Sequence, residues 1–200
     1  MITKNENLNI YSDKILTNNG FEVMMDWERP IMAKMSEEVC KFGGDILEVG
    51  FGMGISATQI QQFNIKSHTI VEINTGIFNT AQDWSLDKQN VNLINDDLLN
   101  YLEYTNDKFD GIFFDPCPTE ILGVGDDNFI YGKLFFDKIK KLCKDNCRVV
   151  PFLTLCGKNL DYLIDYVPLK SIEKYPVYLD NFIQTQYFRG DMANVFVFNI

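Results

Sequence analysis

Glycine stands at every second position in Glu48-Val49-Gly50-Phe51-Gly52-Met53-Gly54, directly after the apolar pair Ile46-Leu47. Glycines let a backbone turn tightly and come close to a bound molecule, and the free N–H groups of a following helix face that molecule. Carboxylates recur at comparable places further along. Glu72 ends the run Thr69-Ile70-Val71, Asp97 follows Val91 to Asn95, and Asp115 follows Phe109 to Phe114. A carboxylate at Glu72 can accept both hydroxyls of a ribose, and one at Asp97 can accept an adenine amino group. A further acid, Glu28, lies in a dense patch with Met24, Trp27 and Met32. Apolar walls around one carboxylate make a desolvated acidic pocket.

Strands and helices must hold these groups in place. Ile46, Leu47 and Val49 read as a buried parallel strand. Apolar residues at 55, 57, 60 and 63 then fit an amphipathic helix. Further strands are expected at 69–73, 91–95, 109–115, 148–154, near 177–179 and at 194–198. Pro151 weakens the strand at 148–154, since proline removes a ladder donor. Pro30 fits a first helical position, with Ile31, Met35, Val39 and Phe42 following at helical spacing. Other helices are expected at 75–84 and 128–143. Regular alternation predicts an α/β fold, a Rossmann-like doubly wound and mostly parallel sheet. Ligands gather beyond the carboxyl ends of the strands in such sheets. Residues 1–22 are polar and asparagine-rich and read as an N-terminal arm or lid, leaving 23–200 as a single domain.

Composition narrows the partners. A length of 200 residues with 46% hydrophobic and 14% aromatic residues suits one packed domain. The net charge of −10 argues against nucleic acid or an anionic membrane and suits a cationic small substrate. The start lacks a signal-peptide pattern, and no apolar run approaches membrane-spanning length. Five cysteines, at 40, 117, 143, 147 and 156, form no CxxC pair and fit thiols in a reducing cytoplasm. The single histidine, His68, opens an apolar strand and reads as a strand-edge residue rather than a base. No ligand cluster points to a metal. A homodimer stays open.

The dinucleotide fingerprint Gly-x-Gly-x-x-Gly fails here, because Gly54 comes one residue early and Ile55 holds the expected place. Glu48 followed by Gly-x-Gly-x-Gly instead resembles motif I of the class I S-adenosylmethionine-dependent methyltransferases. The wider pattern is more specific. Val23 to Pro30, Leu47 to Met53, Glu72 to Asn74 and Phe109 to Pro118 resemble guanidinoacetate N-methyltransferase and the related fungal arginine N-delta-methyltransferases. Asn128-Phe129-Ile130 and Leu153-Thr154 match further family segments, so the likeness spans about residues 11 to 200.

The resemblance implies an S-adenosylmethionine-dependent N-methyltransferase acting on a guanidino group. It makes Glu28 and Asp115 the clamp of the guanidinium, with Asp115 also taking its proton. Leu153 and Thr154 would hold the substrate carboxylate. Met24, Met32, Gly50, Phe51, Gly52, Met53, Gly54, Ile55, Glu72, Ile73, Asn74, Asp96 and Asp97 would line the cofactor. A planar cation suits two carboxylates, which can orient one nitrogen and favour its proton loss. Three departures lie around the substrate. Asp115-Pro116-Cys117-Pro118 stands where the family has Asp-Thr-Tyr-Pro, Cys156 replaces a tryptophan, and the N-terminal arm is shorter. Arginine, or an agmatine-like amine, therefore stays open as the acceptor. Asp115 to Pro118 also resembles the motif of nucleobase amino-methyltransferases, without its aromatic fourth residue. A protein-arginine acceptor and a cofactor-binding protein without catalysis complete the alternatives.

Overall fold

The N-terminal segment is the first place where the structure departs from the sequence reading. The computed structural model describes residues 2–116, 133–153 and 170–200, with residues 133–136 described by their backbone alone. Within them, β1 (Leu8–Ile10), β2 (Lys14–Thr17) and β3 (Glu22–Met25) form a three-stranded antiparallel sheet. The expected boundary between residues 22 and 23 falls inside β3. Ile15, only 1% exposed, anchors the small sheet against Phe51, Ala57, Ile70 and Ile77. Strands of three or four residues show too little alternation for a period-two signal, which is why this sheet reads as a polar arm.

A single 3-10 turn (Asp26–Glu28) leads into α1 (Arg29–Val39), with Pro30 in its first turn. Ile31, Met35 and Val39 are buried as their spacing predicts. Phe42 is 72% exposed, because the helix is capped at Cys40 and the chain turns through Gly43 and Gly44.

Strand and helix then alternate: β4 (Asp45–Val49), α2 (Ile55–Ile60), β5 (Ser67–Val71), α3 (Thr75–Ser85), β6 (Val91–Ile94), α4 (Leu98–Tyr104) and β7 (Phe109–Phe114). After α5 (Lys133–Lys140) come β8 (Cys143–Pro151), β9 (Ser171–Gln184) and β10 (Arg189–Asn199). The expected long helix is thus described only from Lys133 and stops before Cys143, which opens β8. Residues 128–132 and Thr154 lie outside the described residues. Pro151 is the last residue of β8, opposite Phe114, where a missing donor interrupts little of the ladder.

The seven strands of the main sheet run in the order β6-β5-β4-β7-β8-β10-β9. The pairings from β6 across to β8 are parallel, and β10 is antiparallel to both neighbours. Both faces are covered. Ile46 and Phe113 pack with α1 residues Ile31, Met32 and Met35, while Leu47, Ile112 and Phe114 pack with Tyr101 and Ile139 on the other side. Such two-sided burial favours continuous apolar runs in parallel strands. The chain leaves β4 toward β5 and β6, then returns to place β7 on β4's other flank. The carboxyl ends of β4 and β7 therefore flank a crevice at the switch point.

The opposite rim of the sheet is locked by charge. Lys144 reaches Asp45 at 2.5 Å and Asp110 at 2.7 Å, tying the starts of β4, β7 and β8. Arg148, on β8, joins four elements. It donates to the Glu38 carbonyl (2.7 Å) and carboxylate (2.5 Å) of α1, to Glu173 of β9 (3.1 Å) and to Asn199 of β10 (3.1 Å). Removing one member of a buried pair strands the other charge. Arg148→Met is expected to lower unfolding free energy by about 3 kcal/mol in urea titrations, and Arg148→Met/Glu38→Met to recover part of that loss.

Candidate active site

The glycine loop works by letting other groups come close. Gly50, Gly52 and Gly54 all have positive φ, at 88°, 54° and 70°. A Cβ on Gly50 would lie 2.6 Å from the Asp115 carbonyl, so the bare backbone there allows β4 and β7 to converge. A Cβ on Gly52 would collide with Sδ of Met24, which comes over the loop from β3 and accepts the Met53 N–H at 3.1 Å. Phe51 turns inward, 2% exposed, with its ring edge-on to Trp84. Met32 is fully buried in the apolar cluster that also holds Met24 and Ile55, and Ile55, 3% exposed, opens α2.

Glu72 sits beside this loop, 5% exposed. Its Oε2 accepts the Phe51 N–H at 2.8 Å and its Oε1 the Asn74 N–H at 2.7 Å. Burial raises its proton affinity and these N–H groups oppose the rise. Asn74 caps α3 by accepting from the Ile77 N–H, and its amide donates to the carbonyls of Glu6 (2.8 Å) and Thr3 (3.3 Å). Lys4 reaches the Asn95 carbonyl at 3.0 Å and accepts from the Thr75 N–H at 2.8 Å. Residues 3–6 therefore lie across the carboxyl ends of β5 and β6, next to Ile73. Asp97 caps α4 through the Leu99 N–H (2.7 Å), while Asp96 accepts from the Asp97 N–H and Tyr104 hydroxyl.

Glu28 and Asp115, the two acids expected to face an acceptor, influence each other electrostatically. Glu28 is 2% exposed, and its Oε1 accepts the Met25 N–H at 2.9 Å and the hydroxyl of Tyr187. Burial first, then the charge of Asp115, pushes the Glu28 carboxyl well above the ordinary carboxylate range. Asp115 follows β7, its N–H bonded to the Val49 carbonyl at 3.0 Å. Burial and the charge of Glu48 push it up as well. Trp27 lies alongside, stacked on Phe188 at 4.9 Å and tilted to Tyr187 at 6.0 Å, and its buried Nε1 has no acceptor among the described residues. Leu153 follows β8 and is 9% exposed.

His68 departs from its expected place at a strand edge. It is fully buried, because β5 runs between β4 and β6 and covers the histidine on both flanks. Its Nε2 lies 2.9 Å from Glu48, whose other oxygen accepts from the Ser56 hydroxyl. Tyr187 and Phe188 escape the sequence reading altogether. The one signal for them is a pair of aromatics in a hairpin turn, where polar residues are usual.

The site suits a nucleoside-bearing methyl donor on observed grounds: a bare, positive-φ loop against β4 and a buried carboxylate beside it at the end of β5. With the strand order, these features define the class I fold of S-adenosylmethionine-dependent methyltransferases. Comparisons with known proteins agree. The model of the guanidinoacetate N-methyltransferase family matches residues 5–169, and the chain belongs to that family. Among curated relatives, Protein arginine N-methyltransferase 2 of Candida glabrata is 36% identical over 121 residues, covering 56% of this chain and 29% of the relative. The Saccharomyces cerevisiae protein of that name is 34% identical, over 52% of this chain and 28% of its own length. The chain thus matches less than a third of these relatives. Spermidine synthase from Thermotoga maritima superposes with a TM-score of 0.67 at 8% identity, covering 96% of this chain and 72% of that one. A candidate SAM-dependent methyltransferase from Streptococcus mutans gives 0.65 at 12% identity, covering 100% and 57%. These distant structures share the fold.

Raised acids have a consequence for stability. Glu28 and Asp115 bind protons more tightly folded than unfolded, so their contribution is full below the ordinary carboxylate range and is lost as pH rises through their folded values. Glu28→Gln removes the charge and keeps an acceptor for Met25 and Tyr187. Urea unfolding at a series of pH values should find this variant more stable than the unaltered protein above neutrality by about 1 kcal/mol or more. That gain should vanish near pH 4, about where an unfolded glutamate titrates.

Proposed function

We propose that this protein transfers the methyl group of S-adenosylmethionine to a guanidino nitrogen of a small, carboxylate-bearing molecule. One observation carries the reading: the buried carboxylate of Glu28 and the half-buried one of Asp115 repel each other, with the Asp115 backbone packed against the glycine turn at Gly50. A pair so placed holds protons until a cation arrives, and a planar guanidinium matches two carboxylates in shape and charge.

The bound cofactor supplies an electrophilic methyl on a sulfonium, held by the backbone of Gly50 to Ile55, by Met24 and Met32, by Glu72 to Asn74, and by the Asp96-Asp97 turn. Glu28 orients the acceptor. Asp115 faces the nitrogen that takes the methyl and accepts its proton as the C–N bond forms. Charge balances in this step, because the methylated guanidinium stays cationic while the sulfonium and the carboxylate both become neutral. A carboxyl lifted toward neutrality is a better base than an ordinary one. Holding both reactants in line contributes on the order of 7–11 kcal/mol in model systems. Leu153 and Thr154 receive the acceptor's carboxylate. Residues 3–6, lying across the ends of β5 and β6, support a lid role for the N-terminal segment. Free thiols at Cys40, Cys143 and Cys147 support a reducing cytoplasmic setting.

Arginine is the second reading, favoured by the printed names of the curated relatives. Incubation with S-adenosylmethionine and guanidinoacetate, arginine, agmatine or an arginine peptide, followed by mass spectrometry, separates the acceptors. A small guanidino acid is expected to gain one methyl, and equal turnover of plain alkylamines would defeat the guanidino assignment. Asp115→Asn is expected to lower kcat by on the order of 10²- to 10⁴-fold while S-adenosylhomocysteine still binds. Unchanged turnover would remove Asp115 from the proton transfer.

A further inference from the structure

The Glu28 carboxylate is held from a direction that neither the glycine loop nor the strand ends supply. Its Oε1 takes both the Met25 N–H and the Tyr187 hydroxyl, while Oε2 accepts no hydrogen bond among the described residues. Tyr187 belongs to the turn between β9 and β10, and that turn is itself fixed. Gln186 and Glu22 of β3 exchange hydrogen bonds, N–H to Oε1 at 3.1 Å and N–H to Oε2 at 2.8 Å, and the Gln186 amide donates to the Gly20 carbonyl at 3.0 Å. Phe188 stacks on Trp27, beside the Tyr187 ring.

We infer that Tyr187 is a positioning residue for the acceptor: by pinning Oε1 of Glu28 it leaves Oε2 as the single Glu28 oxygen offered to the substrate cation beside Asp115. This rests on the reading of Glu28 as the acceptor's carboxylate. A neutral hydroxyl suits the task, because a lysine or arginine in its place would neutralise Glu28 and compete with the substrate. Burial and the Glu28 charge keep the Tyr187 hydroxyl protonated, so it stays a donor. The groups facing Glu28 act in opposite directions. Asp115 at the end of β7 and Glu22 on β3 disfavour its ionised form, while Tyr187 and the Met25 N–H favour it.

Tyr187→Phe keeps the ring and removes the hydroxyl. With a guanidino acceptor that the unaltered protein methylates, the acceptor KM is expected to rise about tenfold. Cofactor affinity should stay the same, and the acid limb of the kcat/KM profile should move to higher pH. In the free protein, the carbon-13 titration midpoint of the Glu28 carboxyl, assigned with Glu28→Gln, should also move up. An unmoved midpoint overturns the inference whatever the acceptor proves to be. A higher KM without movement of the limb or midpoint marks a packing effect and overturns it too. If no guanidino compound is methylated and the midpoint still moves, the acceptor assignment fails while Tyr187's hold on Glu28 stands.

Discussion

Negative charge confined away from water is the constraint around which this protein is arranged. Glu28, Glu48 and Glu72 are each no more than 5% exposed, and Asp115 is raised by burial and by Glu48. Unpaired buried carboxylates are costly. Each here is held by a specific donor set: Met25 and Tyr187 for Glu28, Ser56 and the neighbouring His68 for Glu48, Phe51 and Asn74 for Glu72. Among the described residues, none of these three glutamates has lysine or arginine as its partner in these contacts. Lys144 and Arg148 instead form their ion pairs at the far rim and flank of the sheet. On the proposed reading, this acid awaits a ligand that brings its own positive charge.

The parallel sheet makes that concentration achievable. Val49 and Phe114 pair in register, so the chains leaving β4 and β7 start side by side. Only glycine at position 50 lets the Asp115 carbonyl approach as closely as it does, and only glycine at 52 leaves room for Met24. The same loop thus serves two neighbours, one from the sheet and one from the N-terminal strands. Site and stability pull in different directions, as expected where function needs strained electrostatics.

Much of this was legible along the chain. Strong apolar runs bounded by glycine, such as 46–49 and 109–114, announced their strands, and Pro30 announced the start of α1. Local patterns carry such elements because a few consecutive residues decide them. The small sheet of residues 8–25 was not legible, since β1 buries no side chain, β2 two and β3 one, too few for a period-two pattern to show. His68 misled for a related reason: its position in sequence opens a strand, and only the flanking strands bury it.

By itself the sequence determined the doubly wound order of elements, the glycine turn and the acids that end the strands, because these depend on residue type and short-range spacing. Tertiary structure alone decided that Tyr187 reaches a carboxylate 159 residues away, that Glu22 locks to Gln186, and that Glu28 and Asp115 share one region. Those contacts join segments with no common periodicity, and they exist only once the sheet has closed and the two ends of the chain pack over the same strand ends.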